Sequence, residues 1–161
     1  MTLIYTHLKK LPFSQNLVKT YAERAVKALS IGDPVLSILL VGDAKMRRLN
    51  IKFRGEDRAT DILSFPTTDF SPGAKPDNKA PIVLGDIVIN IHAVKRQAKR
   101  HNHSEIEELC ILLAHGLSHL LGYTHKGRRS KSEMKEKERK ILKTLLGGRR
   151  LTLIERVEKW R

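Results

Sequence analysis

The sequence predicts an α+β fold: a single domain in which a small β-sheet is covered by helices, with one buried helix at its centre. Three observations predict it. Short apolar runs with β-branched residues lie at 35–41 and 82–91, bounded by turn residues, as buried strands are. Stretches with the helical period fall between them. The stretch from Ile106 to Leu121 is apolar nearly all round, and such a helix belongs in a core. A chain of 161 residues with 40% hydrophobic and 30% charged residues is long enough for one core of this kind.

Each element has its own signal. Leu3 to Leu8 alternates weakly and reads as a first strand, which Pro12 breaks. Ser14 is placed to cap a helix to about Leu29, with Leu17, Val18, Tyr21, Ala25, Val26 and Leu29 as its apolar stripe. Gly32-Asp33-Pro34 is a turn, and Val35 to Val41 is a second strand. Asp43 should cap the next helix, which turns Met46, Leu49, Ile51 and Phe53 inward and Lys45, Arg47, Arg48 and Lys52 outward. A polar loop from Arg54 to Thr60 leads to a short strand, Asp61 to Pro66, stopped by its proline. Thr67 to Pro81 is a surface loop rich in turn residues.

Ile82 to Ile91 is the strongest strand signal and the last of about four strands. Gly85-Asp86 interrupts it, which marks a bulge or a close backbone approach. A basic helix follows from His92 to Arg100, with His92, His101 and His103 on the surface. Ser104-x-x-Glu107 is a capping box that starts the buried helix. Lys126 to Lys131 reads as a basic loop. Ser130-x-x-Glu133 offers a second capping box for a helix carrying Met134, Ile141, Leu142, Leu145 and Leu146 to Gly147-Gly148. The domain is then 1–147, and 148–161 is a basic amphipathic tail.

The net charge of +14, from 31 Lys and Arg against 17 acidic residues, favours a polyanionic partner such as RNA, DNA or a ribosomal surface. Aromatic residues make up 5% of the chain, which argues against a dedicated base-stacking platform. The single cysteine, Cys110, cannot form an intramolecular disulfide and reads as a small buried residue in a reducing setting. No run has the length of a membrane span and no signal peptide is apparent, so a cytoplasmic location is expected.

The chemistry concentrates in His115-Gly116-Leu117-Ser118-His119-Leu120-Leu121-Gly122-Tyr123-Thr124-His125. His115 and His119 are four residues apart in a helical run and share one face. Gly122 can take the left-handed conformation that ends a helix, and the returning chain can bring His125 to the same point. Three histidines with a fourth position open are the donor set of a catalytic zinc site. The spacing matches the long zinc-protease motif H-E-x-x-H-x-x-G-x-x-H, but Gly116 replaces its general-base glutamate, so peptide hydrolysis by that route is not expected. Lys126, Arg128, Arg129 and Lys131 follow closely. They read either as a solvated loop or as contacts to flanking phosphates.

Three blocks resemble the YbeY family of metal-dependent endoribonucleases, also called rRNA maturation factors. They are His115 to His125, Arg54 followed by Thr60-Asp61-Ile62-Leu63-Ser64-Phe65-Pro66, and Leu84-Gly85-Asp86-Ile87. The resemblance covers about residues 1–147. It implies a small, mostly parallel mixed sheet surrounded by helices, and one zinc ion on His115, His119 and His125. It places Arg54 in the cleft and implies cleavage of single-stranded RNA in maturation of the small-subunit (16S) rRNA 3′ end and in ribosome quality control. A small-subunit ribosomal protein and an Era-like GTPase are the implied partners.

Within that reading Arg54 holds the scissile phosphate, or alternatively makes a structural salt bridge to Asp61 or Asp86. Asp86 is a candidate carboxylate behind the ligands or at the substrate, and Ser64 a candidate hydrogen-bond donor in the cleft. Thr124 departs from the aspartate usual there in bacterial members, so His125 has a different neighbour. Ser118 is expected to loosen packing before the second ligand. Two other classes stay open: a ribosome-assembly factor that binds RNA around a structural zinc, and a metal hydrolase of another substrate.

Overall fold

The computed structural model describes residues 1–73 and 81–147. Its strands are β1 (Thr2–Thr6), β2 (Val35–Val41), β3 (Ile62–Pro66) and β4 (Val83–Asn90). They form one sheet in the order β1-β2-β4-β3. The β1–β2 and β2–β4 pairs are parallel and the β4–β3 pair is antiparallel. The helices are α1 (Gln15–Lys27), α2 (Asp43–Arg54), α3 (Ile91–His101), α4 (Glu105–Leu120) and α5 (Arg128–Leu146). This is the expected small, mostly parallel mixed sheet with helices around it. Among the described residues no helix is long and apolar enough to cross a membrane. The expected tail helix at 148–161 and part of the 67–81 loop lie outside the described residues.

Alternation along the strands assigns each residue to a face. One face turns Leu36, Ile38 and Leu40 of β2 and Ile87 and Ile89 of β4 toward α4, all at 0% exposure. Leu109, Leu112, Leu113 and Leu117 of α4 meet them there. Helices α1 and α5 pack around α4, so α4 is the expected central helix. Its capping box forms on both sides: Ser104 Oγ accepts from the Glu107 N–H, and Glu107 Oε2 accepts from the Ser104 N–H. Cys110 is buried in α4, and burial pushes its thiol up to about 12.

The opposite face carries a smaller cluster of Val41, Met46, Leu63 and Val88, covered by α2. Here two expectations fail. Ile51 and Phe53 are 44% and 53% exposed. The inward stripe is Met46, Leu49 and Asn50; Ile51 turns off it, and Phe53 belongs to the last turn, where the helix no longer lies over the cluster. Asp43 is the first residue of α2 and Gly42 its cap. The Asp43 carboxylate is instead taken by Arg96 at 2.7 and 2.9 Å and by Asn90 at 2.8 Å.

Gly85 behaves as expected, on both counts. The β2–β4 register steps from Val83 to Gly85, so Leu84 is the extra residue of a bulge. At φ +134 a Cβ on Gly85 would lie 2.1 Å from the Phe65 carbonyl oxygen, so β3 can pair only because Gly85 has none. His103 departs from expectation. It is buried, with Nε2 2.5 Å from Glu108 Oε2, because it packs on the first turn of α4. Helix α5 also begins two residues before its expected cap. Ser130 donates to the Thr124 carbonyl and Glu133 pairs with Arg129, so no second capping box forms.

Candidate metal centre

The centre is built by the end of α4 and the turn after it. His115 and His119 lie one turn apart on the same face, both half-buried. The helix stops in a Schellman turn: the Gly122 N–H donates to His119 O and the Tyr123 N–H to Ser118 O. Gly122 has φ +83, and a Cβ there would meet Phe70 O at 2.0 Å, so only glycine fits. The returning chain places the exposed His125 ring 5.3 Å from that of His115 and 5.2 Å from that of His119. One nitrogen from each of the three histidines falls within a 4.8 Å set.

The hydrogen bonds fix which nitrogens face inward. His115 Nδ1 lies 2.6 Å from Glu138 Oε1, and His119 Nδ1 lies 3.1 Å from the Tyr123 carbonyl oxygen. Both partners are acceptors, so both Nδ1 atoms carry their protons. The two Nε2 atoms face each other at 3.2 Å with lone pairs. Burial, and then repulsion from His115 and His125, pushes the His119 pKa down to about 4, so the His119 ring is neutral near pH 7 and its Nε2 lone pair is open to a cation. Tetrahedral zinc with Zn–N bonds of about 2.0–2.1 Å would hold two nitrogens roughly 3.3 Å apart. The donor set and its spacing therefore fit a borderline divalent metal, and the Glu138–His115 pair is the orienting carboxylate such histidines use.

Gly116 explains the missing protease glutamate. A Cβ there would lie 2.8 Å from Ile62 Cδ1, 3.0 Å from Ile87 Cδ1 and 3.2 Å from Ser64 Oγ. The position is filled by the sheet packing on α4. Ser64 thus lies beside the helix that carries His115 and His119. Ser118 is fully buried and donates to Ala114 O at 2.8 Å, so its hydroxyl is satisfied within the helix. Thr124 Oγ1 lies 3.1 Å from Ser130 Oγ and ties the His125 loop to α5.

The remaining expected residues are spread more widely. Lys126, Arg128 and Arg129 are exposed around the start of α5, the last two already helical. Asp86 pairs in register with Phe65, and alternation puts both on the sheet face away from α4. It does not stand behind the histidines. Arg54 is the exposed last residue of α2 and makes no ion pair among the described residues, so the salt bridge to Asp61 or Asp86 is absent. Its neighbour Phe53 stacks edge-on at 4.9 Å against Phe65, which brings the end of α2 over β3. Glu138 was not anticipated. The signal was available: it falls four after Met134 and three before Ile141, an acid in the buried stripe of α5.

The family model of Endoribonuclease YbeY matches residues 5–146. The chain is 46% identical over 132 residues to the Endoribonuclease YbeY of Leptospira interrogans, covering 75% of this chain and 94% of that one. It is 36% identical over 143 residues to that of Aquifex aeolicus, covering 88% and 91%. The solution structure of TM1509 from Thermotoga maritima superposes with a TM-score of 0.64 at 28% identity, covering 96% of this chain and 95% of that one. The fold, the three-histidine group and these matches agree: the chain belongs to the endoribonuclease YbeY family.

Proposed function

We propose that this chain is a zinc-dependent, single-strand-specific endoribonuclease that acts in the cytoplasm on the 3′ end of small-subunit rRNA. The observation that carries the metal dependence is the facing pair of His115 and His119 Nε2 atoms, 3.2 Å apart, with both Nδ1 protons already donated. His115, His119 and His125 would hold one ion. When bound, it supplies a Lewis acid for a phosphoryl oxygen and acidifies water.

The chain's own residues do the rest. Glu138 keeps the proton on His115 Nδ1 and fixes the ring. Arg54, without an intramolecular ion pair among the described residues, binds the scissile phosphate through two parallel N–H bonds and stabilises the charge that builds there. Lys126, Arg128 and Arg129 neutralise flanking phosphates and hold the strand in register. Ser64 and Thr124 position groups around the cleft. The net charge of +14 supports a ribosomal setting, with a small-subunit ribosomal protein and an Era-like GTPase as partners.

The test follows cleavage of a labelled single-stranded RNA carrying the 3′ precursor sequence. Wild type, His119→Ala and Arg54→Ala are purified identically, with chelation and zinc add-back. Cleavage by wild type alone, lost on chelation and restored by zinc, is expected. Equal cleavage by all three would expose a contaminant. Binding without cleavage, with and without the small subunit, would make the chain an assembly factor with a structural zinc.

A further inference from the structure

The open half of the sheet's second face forms a groove of about 480 Å³, within the range of small-molecule sites. Tyr5, Phe53 and Phe65 supply aromatic wall, Leu39 and Val88 its floor, and Asp86 one acidic group. The register explains the arrangement. Ser37, Asp86 and Phe65 form one row across β2, β4 and β3, and Tyr5, Leu39, Val88 and Leu63 form the next. Helix α2 covers only the far end of this face, so Tyr5 and Phe53 stay 52% and 53% exposed. The chain's few aromatics are thus gathered, three of them around one groove.

We propose that this groove binds one nucleobase of the RNA, guanine best, stacked on the Phe53 and Tyr5 rings and read by Asp86. The proposal rests on the RNA reading above and adds a base-selective subsite to it. Asp86 makes no hydrogen bond or ion pair among the described residues, in a chain with 31 Lys and Arg. An ionised carboxylate only accepts, so it selects an edge that donates. Guanine offers adjacent N1–H and N2–H donors to its two oxygens, whereas uracil offers a single N–H. Basic residues adjoin the lining residues, Lys52 in space and the others in sequence. Lys52 Nζ lies 5.3 Å from the Phe53 ring centroid, Arg54 follows it, and Lys9 and Lys10 follow the lining residue His7. A base in the groove would therefore carry its phosphate toward cations and away from Asp86. Edge strand β3 links the two places: Ser64 faces Gly116 of the metal helix, and the next residue, Phe65, lines the groove. A strand crossing that edge can occupy both.

The test uses mononucleotides, which have no internucleotide bond. Its outcome is therefore independent of whether the chain cleaves RNA. The full ¹⁵N-labelled chain is titrated with GMP, AMP, CMP and UMP, following backbone amide shifts. Saturable shifts at Tyr5, Phe53, Phe65 and Asp86 are expected, with GMP at least about fivefold tighter than UMP. Phe53→Ala should weaken GMP by about fivefold or more. Asp86→Asn should erase the preference for GMP over UMP while the remaining spectrum stays that of the folded protein. Shifts confined to the histidine motif or to the basic helices would overturn the proposal. So would equal affinities unaffected by Asp86→Asn, or a response of these amides to a ribosomal-protein peptide and to no nucleotide. Loss of RNA cleavage in His119→Ala bears on the metal centre and leaves this result standing.

Discussion

The face under α4 and the face under α2 are built from the same strands, one residue out of phase. Toward α4, Leu36, Ile38, Leu40, Ile87 and Ile89 are all at 0% exposure and meet a helix that is itself buried. Toward α2, Leu63 and Val88 are buried, but Tyr5 on β1, Asp86 on β4 and Phe53 at the end of α2 reach solvent. The difference lies in the covering helices. The α4 segment is apolar nearly all round and is enclosed by α1 and α5, whereas α2 has one narrow apolar stripe and ends before the sheet does. A rigid, dry backing suits side chains that must converge on a metal. A half-covered sheet leaves a groove that a ligand can enter.

The α4 interface is most sensitive at Gly116. If the α4 interface is as tight as it stands, Gly116→Glu forces a charged side chain between Ile62, Ile87 and Ser64. A loss of at least about 3 kcal/mol in unfolding free energy is expected, with Gly116→Ala costing about 1 kcal/mol. Denaturant titration of the metal-free proteins measures both. A Gly116→Glu variant as stable as wild type would mean that the helix is not seated on the sheet in this way.

Glu138 tests the functional half of the same face. Glu138→Gln keeps the shape but weakens the acceptor for the His115 Nδ1 proton. Zinc affinity, measured by competition with a chromogenic chelator, should fall by about 10–100-fold. Unchanged affinity would reduce Glu138 to a packing contact and leave His115 free to rotate.

Legibility differs between the two faces for the same physical reason. The histidine spacing, the Gly122 turn, the capping box and the buried α4 helix are local patterns, and each appears in the structure where the sequence puts it. Gly85 was legible because glycine weakens a buried strand unless the backbone there must bulge or lie close to its neighbour. How far one element extends over another is not local. The apolar letters of Ile51 and Phe53 say nothing about where the sheet ends beneath α2. His103 looked like a surface residue in a polar stretch, until the start of α4 brought Glu108 against it. Asp86 and Ser64 each fall in a block that resembles the family, and their strands are paired, yet alternation sends them to opposite faces. Ser130 carries a capping signature, but the Thr124 carbonyl took its hydroxyl first.

The α2 end offers a pH test. Two N–H bonds from Arg96, aided by Asn90 and opposed by partial burial, hold the Asp43 carboxyl well below the usual carboxylate range. A depressed folded-state pKa stabilises the fold above the unfolded value near 3.9, and that contribution is lost as pH falls toward the folded value. Because the Asp43 side chain is 40% exposed, solvent screening limits the effect. Asp43→Asn should cost roughly 1–1.5 kcal/mol at pH 7, and the gap from wild type should close progressively below about pH 4. A gap that stays constant into acid would assign the loss to the Asn90 contact and not to the charge.

The smallest expected effect is the most diagnostic of the open face. A buried phenylalanine typically loses about 3–5 kcal/mol on truncation to alanine. Phe53 is 53% exposed and touches Phe65 edge-on at 4.9 Å, so Phe53→Ala should cost under about 1 kcal/mol, mostly from that ring contact. Equilibrium unfolding decides. A loss above about 2 kcal/mol would mean that α2 closes over the sheet in solution, that Phe53 is core, and that the groove beside Asp86 is not available to a base. A near-neutral variant that still binds nucleotide less well separates the ring's binding role from any role in the fold.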